Sequence, residues 1–331
     1  MKRRDDIDIA KGFAILLVVF GHLVARTDPV NVGWYEPLRR AVYAFHMPLF
    51  LYLSGLAAVL SGALLAPREA WPAVVKARAL RLLAPFFGLG FLVVLGKILF
   101  RRVMAVDNPP DGLGGGLLDL VWHTAQSPAL SIWYLFVLFV VSLGGMCWLG
   151  GEKKRWVWLL GFCALLYVLP LPAYMYLDRV GTYAVFFALG AGAGFLGARW
   201  DGFMDRHWPW LMVLFLVCLA GIVGFGAGWP EKLILLPVGV LSMPAIHGWL
   251  RFWAASSPRV LLFLGRYSFM IYLFNTLFIG LTKGVLLHFF TWDGAVFLPF
   301  AMTLMVAGTF GPVGLKRAMF RRISVLDRLT D

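Results

Sequence analysis

The stretch Asp8-Ile9-Ala10-Lys11-Gly12-Phe13-Ala14-Ile15-Leu16-Leu17-Val18-Val19-Phe20-Gly21-His22 is apolar apart from a carboxylate at its head and two basic groups within it. Ionisable side chains are costly in hydrocarbon, so those that occur there face a cavity or a partner. On a helix turning about 100° per residue, the steps from Lys11 to His22 make about three turns and about 16 Å of rise. Lys11 and His22 therefore share a face. Asp8 sits one turn before Lys11, where an i,i+3 pair can meet. A polar stripe thus leads from one membrane surface to a titratable group within the bilayer, an arrangement suited to chemistry.

The rest of the chain has the same apolar character. Of 331 residues, 61% are hydrophobic and 14% charged, with a mean hydropathy of +0.81. Soluble domains carry about 25% charged residues. Stretches long enough to cross a bilayer recur from end to end. We place ten spans at 9–26, 42–64, 79–99, 130–149, 156–170, 181–198, 209–226, 232–250, 260–281 and 294–315. The expected fold is an all-α polytopic membrane helical bundle, one integral membrane domain over residues 1–331 without a fused soluble domain. Lys2, Arg3 and Arg4 precede the first span as in a signal peptide. Arg26-Thr27-Asp28-Pro29 offers no small-residue cleavage site, however, so the helix is read as retained.

The net charge of +13 is explained by topology. With the N-terminus in the cytoplasm, cytoplasmic segments carry 20 Lys and Arg and outer segments 9, with Lys11 inside the first span. That bias puts both termini in the cytoplasm and requires no nucleic acid. Cys147, Cys163 and Cys218 match no zinc, redox or disulfide spacing. The longest outer loop, from about Arg101 to Pro128, is read as flexible and turn-forming around Asp107 to Gly116.

Other polar positions admit two readings each. His46, in Phe45-His46-Met47-Pro48-Leu49-Phe50, lies near the outer interface, where Pro48 frees a backbone carbonyl. It either lines a cavity or is a hydrated interfacial histidine. Arg78 and Arg81 begin the third span at i,i+3 spacing. They form either a phosphate clamp or plain positive-inside anchors. Tyr272 and Asn275 share one face of the ninth span, as helix–helix glue or as substrate contacts. His207, His247 and His288 are scattered near span ends. No metal cluster, HExxH, nucleophile elbow or phosphate-cradling glycine loop is present, which argues against an autonomous hydrolase or an ATP-driven pump.

Together, the Asp8–His22 run, the Phe45–Gly55 run and Arg78-x-x-Arg81 resemble the acyltransferase 3 family of integral membrane acyltransferases, in its fucose 4-O-acetylase-like branch. Ile132-Trp133-Tyr134-Leu135, Phe186-Phe187-Ala188-Leu189-Gly190 and Gly265-Arg266-Tyr267-Ser268-Phe269-Met270-Ile271-Tyr272-Leu273 add to the likeness. The resemblance implies a ten-helix bundle that moves acyl groups, commonly acetyl, from cytoplasmic acyl-CoA to extracytoplasmic glycans. It puts the family's essential histidine on His22, its paired basic residue on Lys11, where arginine is commoner, and its CoA-phosphate pair on Arg78 and Arg81. A histidine often found in the penultimate helix is replaced here by Asn275, a position that thereby loses titratability.

The expectation is therefore an O-acetyltransferase of a bacterial-type cytoplasmic (inner) membrane that uses acetyl-CoA and no metal. It would modify a cell-surface polysaccharide or a lipid-linked glycan. In this reading Arg78, Arg81 and Lys11 neutralise the CoA phosphates, and Asp8 positions Lys11. His22 is general base or acyl acceptor, since an imidazole titrates near neutrality. His46 assists proton transfer or binds acceptor, and Tyr272 and Asn275 belong to the outer pocket. Two other classes stand beside it, a proton-coupled or anion transporter and a non-catalytic polysaccharide-assembly protein.

Overall fold

The computed structural model describes residues 4–24, 29–101, 106, 108–225, 231–254, 256 and 258–318, and among them the regular structure is helical throughout. Lys2, Arg3, Arg26, Arg102, Arg321, Arg322 and Arg328, which enter the charge count, lie outside these residues, as does Asp107. The principal helices are α1 (Asp5–Gly21), α2 (His46–Leu60), α3 (Arg68–Phe100), α4 (Trp133–Leu149), α5 (Trp156–Val168), α6 (Leu177–Leu196), α7 (Ala198–Phe225), α8 (Glu231–Ala254), α9 (Ser268–Leu286) and α10 (Phe297–Ala318). Among the described residues, eight segments containing α2, α3, α4 and α6 to α10 are long and apolar enough to cross a membrane. The helices α1 and α5 are shorter, at 17 and 13 residues. The fold is a polytopic membrane helical bundle. Its outer surface is apolar, with Trp210, Val168, Phe289 and Trp158 each about three-quarters exposed, as suits a surface wetted by lipid.

The centre of the bundle is α1. It touches α2, α8, α9, α10 and the short helix Arg259–Arg266, and Ile9, Ala10, Ala14, Ile15 and Val19 are fully buried. A helix that is apolar on every side beyond its first two turns belongs in such a position. Small residues let backbones meet where hydrophobic segregation cannot drive helices together. A Cβ on Gly12 would stand 2.1 Å from the Leu261 carbonyl oxygen, and one on Gly265 only 1.8 Å from that of Asp8. Gly55 of α2 and Gly190 of α6 make the same kind of crossing.

A charged clasp closes one end of the bundle. Asp6, ahead of the apolar part of α1, receives Arg4 and Arg251, each at 2.6 Å. Arg4 also reaches Asp201 at 3.0 Å, and Arg251 reaches Asp205 at 2.9 Å. Burial alone would raise the Asp6 carboxyl. Attraction to His247 and Arg4 outweighs it and holds the group well below the usual carboxylate range. His247 is wholly buried, 3.5 Å from Asp6, and 2.9 Å from the Tyr52 hydroxyl, which also accepts the Trp200 indole N–H at 2.7 Å. Four elements, α1, α2, α7 and α8, are tied together there.

Several boundaries differ from the sequence expectation. The first span ends as a helix at Gly21 rather than at residue 26, because the last turn's free carbonyls find other partners. The Tyr35 hydroxyl donates to the Phe20 carbonyl at 3.0 Å and the Tyr43 hydroxyl to that of Gly21 at 2.7 Å. The third span begins upstream of residue 79 and carries a π-helical turn at Ala79–Leu83. The ninth breaks at Tyr267 into Arg259–Arg266 and α9, the first piece turning across α1 at the Gly12–Gly265 contact. Pro48 does not break α2. It sits in the first turn, where its missing N–H is an unpaired donor in any residue. Gly114, Gly115 and Gly116 lie in a helix, Leu113–Asp119, held where Gly116 packs on Val94 and Pro110.

Candidate functional site

His22 is the residue that ends α1. Its backbone is still helical and its N–H is shared among the carbonyls of Val18, Val19 and Phe20. The capping by Tyr35 and Tyr43 thus sets where the ring emerges. A 2.7 Å hydrogen bond joins its Nδ1 to Asn275 Oδ1 of α9. His22 is half-buried, whereas Asn275 is fully buried.

His46 opens α2 beside this group. Its Nδ1 donates to the Val42 carbonyl at 2.9 Å, and its ring stacks on Tyr43 at 5.0 Å. It is buried and within electrostatic reach of His22. Tyr43 therefore serves both histidines, capping the helix that carries one and stacking on the other. It went unremarked in the sequence, although it precedes His46 by one helical turn.

Tyr272 is turned to α4. Its hydroxyl donates to the Ser131 carbonyl at 2.8 Å, and its ring meets that of Tyr134 at 5.4 Å. Tyr134 shares a 2.6 Å hydrogen bond with Ser54 and lies within electrostatic reach of Arg81. Both lie in runs that carry the family resemblance, Tyr134 in Ile132–Leu135 and Ser54 in Phe45–Gly55, although neither was singled out as a site residue. All polar atoms of Asn275 are engaged, since its Nδ2 donates to the carbonyls of Ile271 at 2.9 Å and Tyr272 at 2.8 Å.

Arg78 and Arg81 flank and enter the π-helical turn of α3. That turn alters the spacing of an ordinary i,i+3 pair, and such bulges recur at functional sites. Arg81 is exposed, its guanidinium 5.6 Å from the centre of the Phe269 ring on α9, and Arg78 is half-buried. Phe269 and Asn275 are six residues apart on α9, about 9 Å along the axis. At the other end of the stripe, Asp8 is buried and Lys11 half-buried, and neither is without a partner. Among the described residues, no group of three or more His, Cys, Asp or Glu is arranged to hold a metal ion.

A terminal imidazole is thus held by an amide, and the helix that carries the amide bears Phe269, against Arg81, six residues earlier. The family described as acyltransferase domain matches residues 4–313. The chain belongs to that acyltransferase family. Two curated relatives are both nodulation protein NolL. The one from Mesorhizobium japonicum is 28% identical over 234 residues, covering 67% of this chain and 56% of the relative. The one from Sinorhizobium fredii is 39% identical over 138 residues, 41% of this chain and 34% of the relative. The chain thus spans about half or less of the length of these relatives. No solved structure matches this acyltransferase-family chain.

Proposed function

We propose that the protein is a membrane O-acyltransferase that moves an acetyl group from cytoplasmic acetyl-CoA to a hydroxyl of an extracytoplasmic polysaccharide or lipid-linked glycan. Its setting is a bacterial-type inner membrane, with both termini in the cytoplasm. Acyl-CoA docks with its phosphates on Arg78, Arg81 and Lys11, Asp8 steadying Lys11. The thioester is carried past Tyr134 and Tyr272 to His22.

There the acceptor hydroxyl oxygen attacks the thioester carbonyl while His22 takes its proton. Collapse of the tetrahedral adduct breaks the C–S bond and leaves the acyl ester. The proton passes from the imidazolium to the departing thiolate, so the histidine ends neutral. His46, on the acceptor side, orients the incoming hydroxyl. In the two-step variant, the acyl group rests on the His22 imidazole before the hydroxyl removes it.

The observation that supports this reading is the shared helix α9, which carries Phe269 beneath Arg81 and Asn275 against His22, about 9 Å apart. The test is CoA binding to the purified chain in lipid nanodiscs. Binding is expected for the wild type and lost on changing Arg78 and Arg81 together to Ala. If CoA binds no better than an unrelated nucleotide, the acyltransferase reading fails and the transporter reading moves ahead.

A further inference from the structure

Asn275 cannot take or give a proton at neutral pH, yet its side chain makes a 2.7 Å hydrogen bond with the His22 ring. Its chemistry follows from the direction of its amide. The Nδ2 group donates to two main-chain carbonyls, Ile271 at 2.9 Å and Tyr272 at 2.8 Å. Rotating the amide by half a turn would set its oxygen against both carbonyl oxygens and its NH2 against His22. Acceptor would then face acceptor twice at a fully buried position. The oxygen is therefore fixed toward His22, and an amide oxygen only accepts. The proton in the 2.7 Å contact must sit on His22 Nδ1.

We infer that Asn275 is a positioning residue that pins His22 in the Nδ1–H tautomer and so leaves Nε2 as its one reactive nitrogen. The neutral ring carries a single N–H, so fixing it on Nδ1 leaves a bare lone pair on Nε2. This rests on the acyltransferase reading and deepens it. Nε2 is then the atom that takes the hydroxyl proton in direct transfer, and the atom acylated in the two-step variant. The neighbouring groups do not compete for the Nδ1 proton. The Tyr43 hydroxyl is committed to the Gly21 carbonyl, and His46 Nδ1 to the Val42 carbonyl. The same logic governs catalytic histidines held by a carboxylate or amide elsewhere, where the wrong tautomer, and not a lost charge, accounts for most of the defect.

The test uses the full chain in nanodiscs, with 15N-labelled histidine read by solid-state NMR and His22 assigned by its loss in His22→Ala. Wild type is expected to show a protonated Nδ1 and a bare Nε2 at His22. Asn275→Leu keeps the shape but removes the acceptor. It should mix or reverse the tautomer and lower kcat for acetyl transfer about 100-fold, with KM for acetyl-CoA changed less than twofold. Asn275→Asp, entering as the neutral acid whose O–H donates to the Ile271 or Tyr272 carbonyl in place of the amide NH2, keeps an acceptor toward His22 and should recover at least tenfold of that loss together with the wild-type tautomer. A bare Nδ1 in the wild type overturns the inference whatever the variants do. So does an Asn275→Leu protein with wild-type tautomer and kcat. If His22→Ala itself transfers acetyl normally, the parent reading of His22 fails instead, and the NMR result still decides the tautomer.

Discussion

Gly265→Ala is the substitution whose cost can be worked from geometry. A Cβ at this position would stand 1.8 Å from the Asp8 carbonyl oxygen and 2.6 Å from its carbon, where ordinary contact begins at 3.4 Å. The Arg259–Arg266 helix and α1 must therefore part by about 1.6 Å. The obstructing atoms are main chain, so no rotamer change relieves them. Overpacking of this kind costs about 1–3 kcal/mol, and we expect about 3 kcal/mol here. That corresponds to a fall of roughly 5 °C in the temperature at which detergent-solubilised protein loses its monodisperse peak in fluorescence-detected size exclusion. Gly280→Ala is the control. Nothing lies within 4 Å of its Cβ position, and replacing a mid-helix glycine there should stabilise by about 0.5–1 kcal/mol. The displaced helix leads through Tyr267 to Phe269, so Gly265→Ala should also weaken CoA binding while Gly280→Ala does not. If the two variants melt together, the close crossing of α1 is not as described and the reasoning is wrong.

Asp6→Ala removes the carboxylate shared by Arg4, Arg251 and His247 while Arg4 keeps Asp201 and Arg251 keeps Asp205, and should cost about 1.5–3 kcal/mol in the same melting assay; an unchanged melting temperature would show that the clasp contributes nothing. Changing Arg78 or Arg81 singly should raise KM for acetyl-CoA about tenfold each with kcat nearly unchanged, as expected when a charge-assisted phosphate bond worth roughly 1.5–3 kcal/mol is removed. A fall in kcat alone would place these arginines elsewhere in the cycle.

That Lys11 and His22 belong to one helical element was legible because a long apolar run with few breaks reads as a single helix. The bundle was legible for a similar reason, since apolar runs of bilayer length have few other uses. The partner of His22 was not, because Asn275 lies 253 residues away and a lone intramembrane asparagine reads as helix glue. The Asp6–His247–Arg251 clasp is hidden by the same long separation, although each residue is unremarkable alone. The π-helical turn around Arg81 and the break at Tyr267 leave no mark in composition, because both are set by packing against other helices. Gly114 to Gly116 read as a flexible loop by propensity, yet a helix forms where tertiary contacts with Val94 and Pro110 prevail.

The central claim is that His22 carries acyl transfer to a surface glycan. Its most direct test is mass spectrometry of surface glycans from cells lacking this protein, complemented with wild type or with His22→Ala shown to insert stably. The account predicts an acetyl mass increment that wild type restores and His22→Ala does not. Equal restoration by both would contradict it.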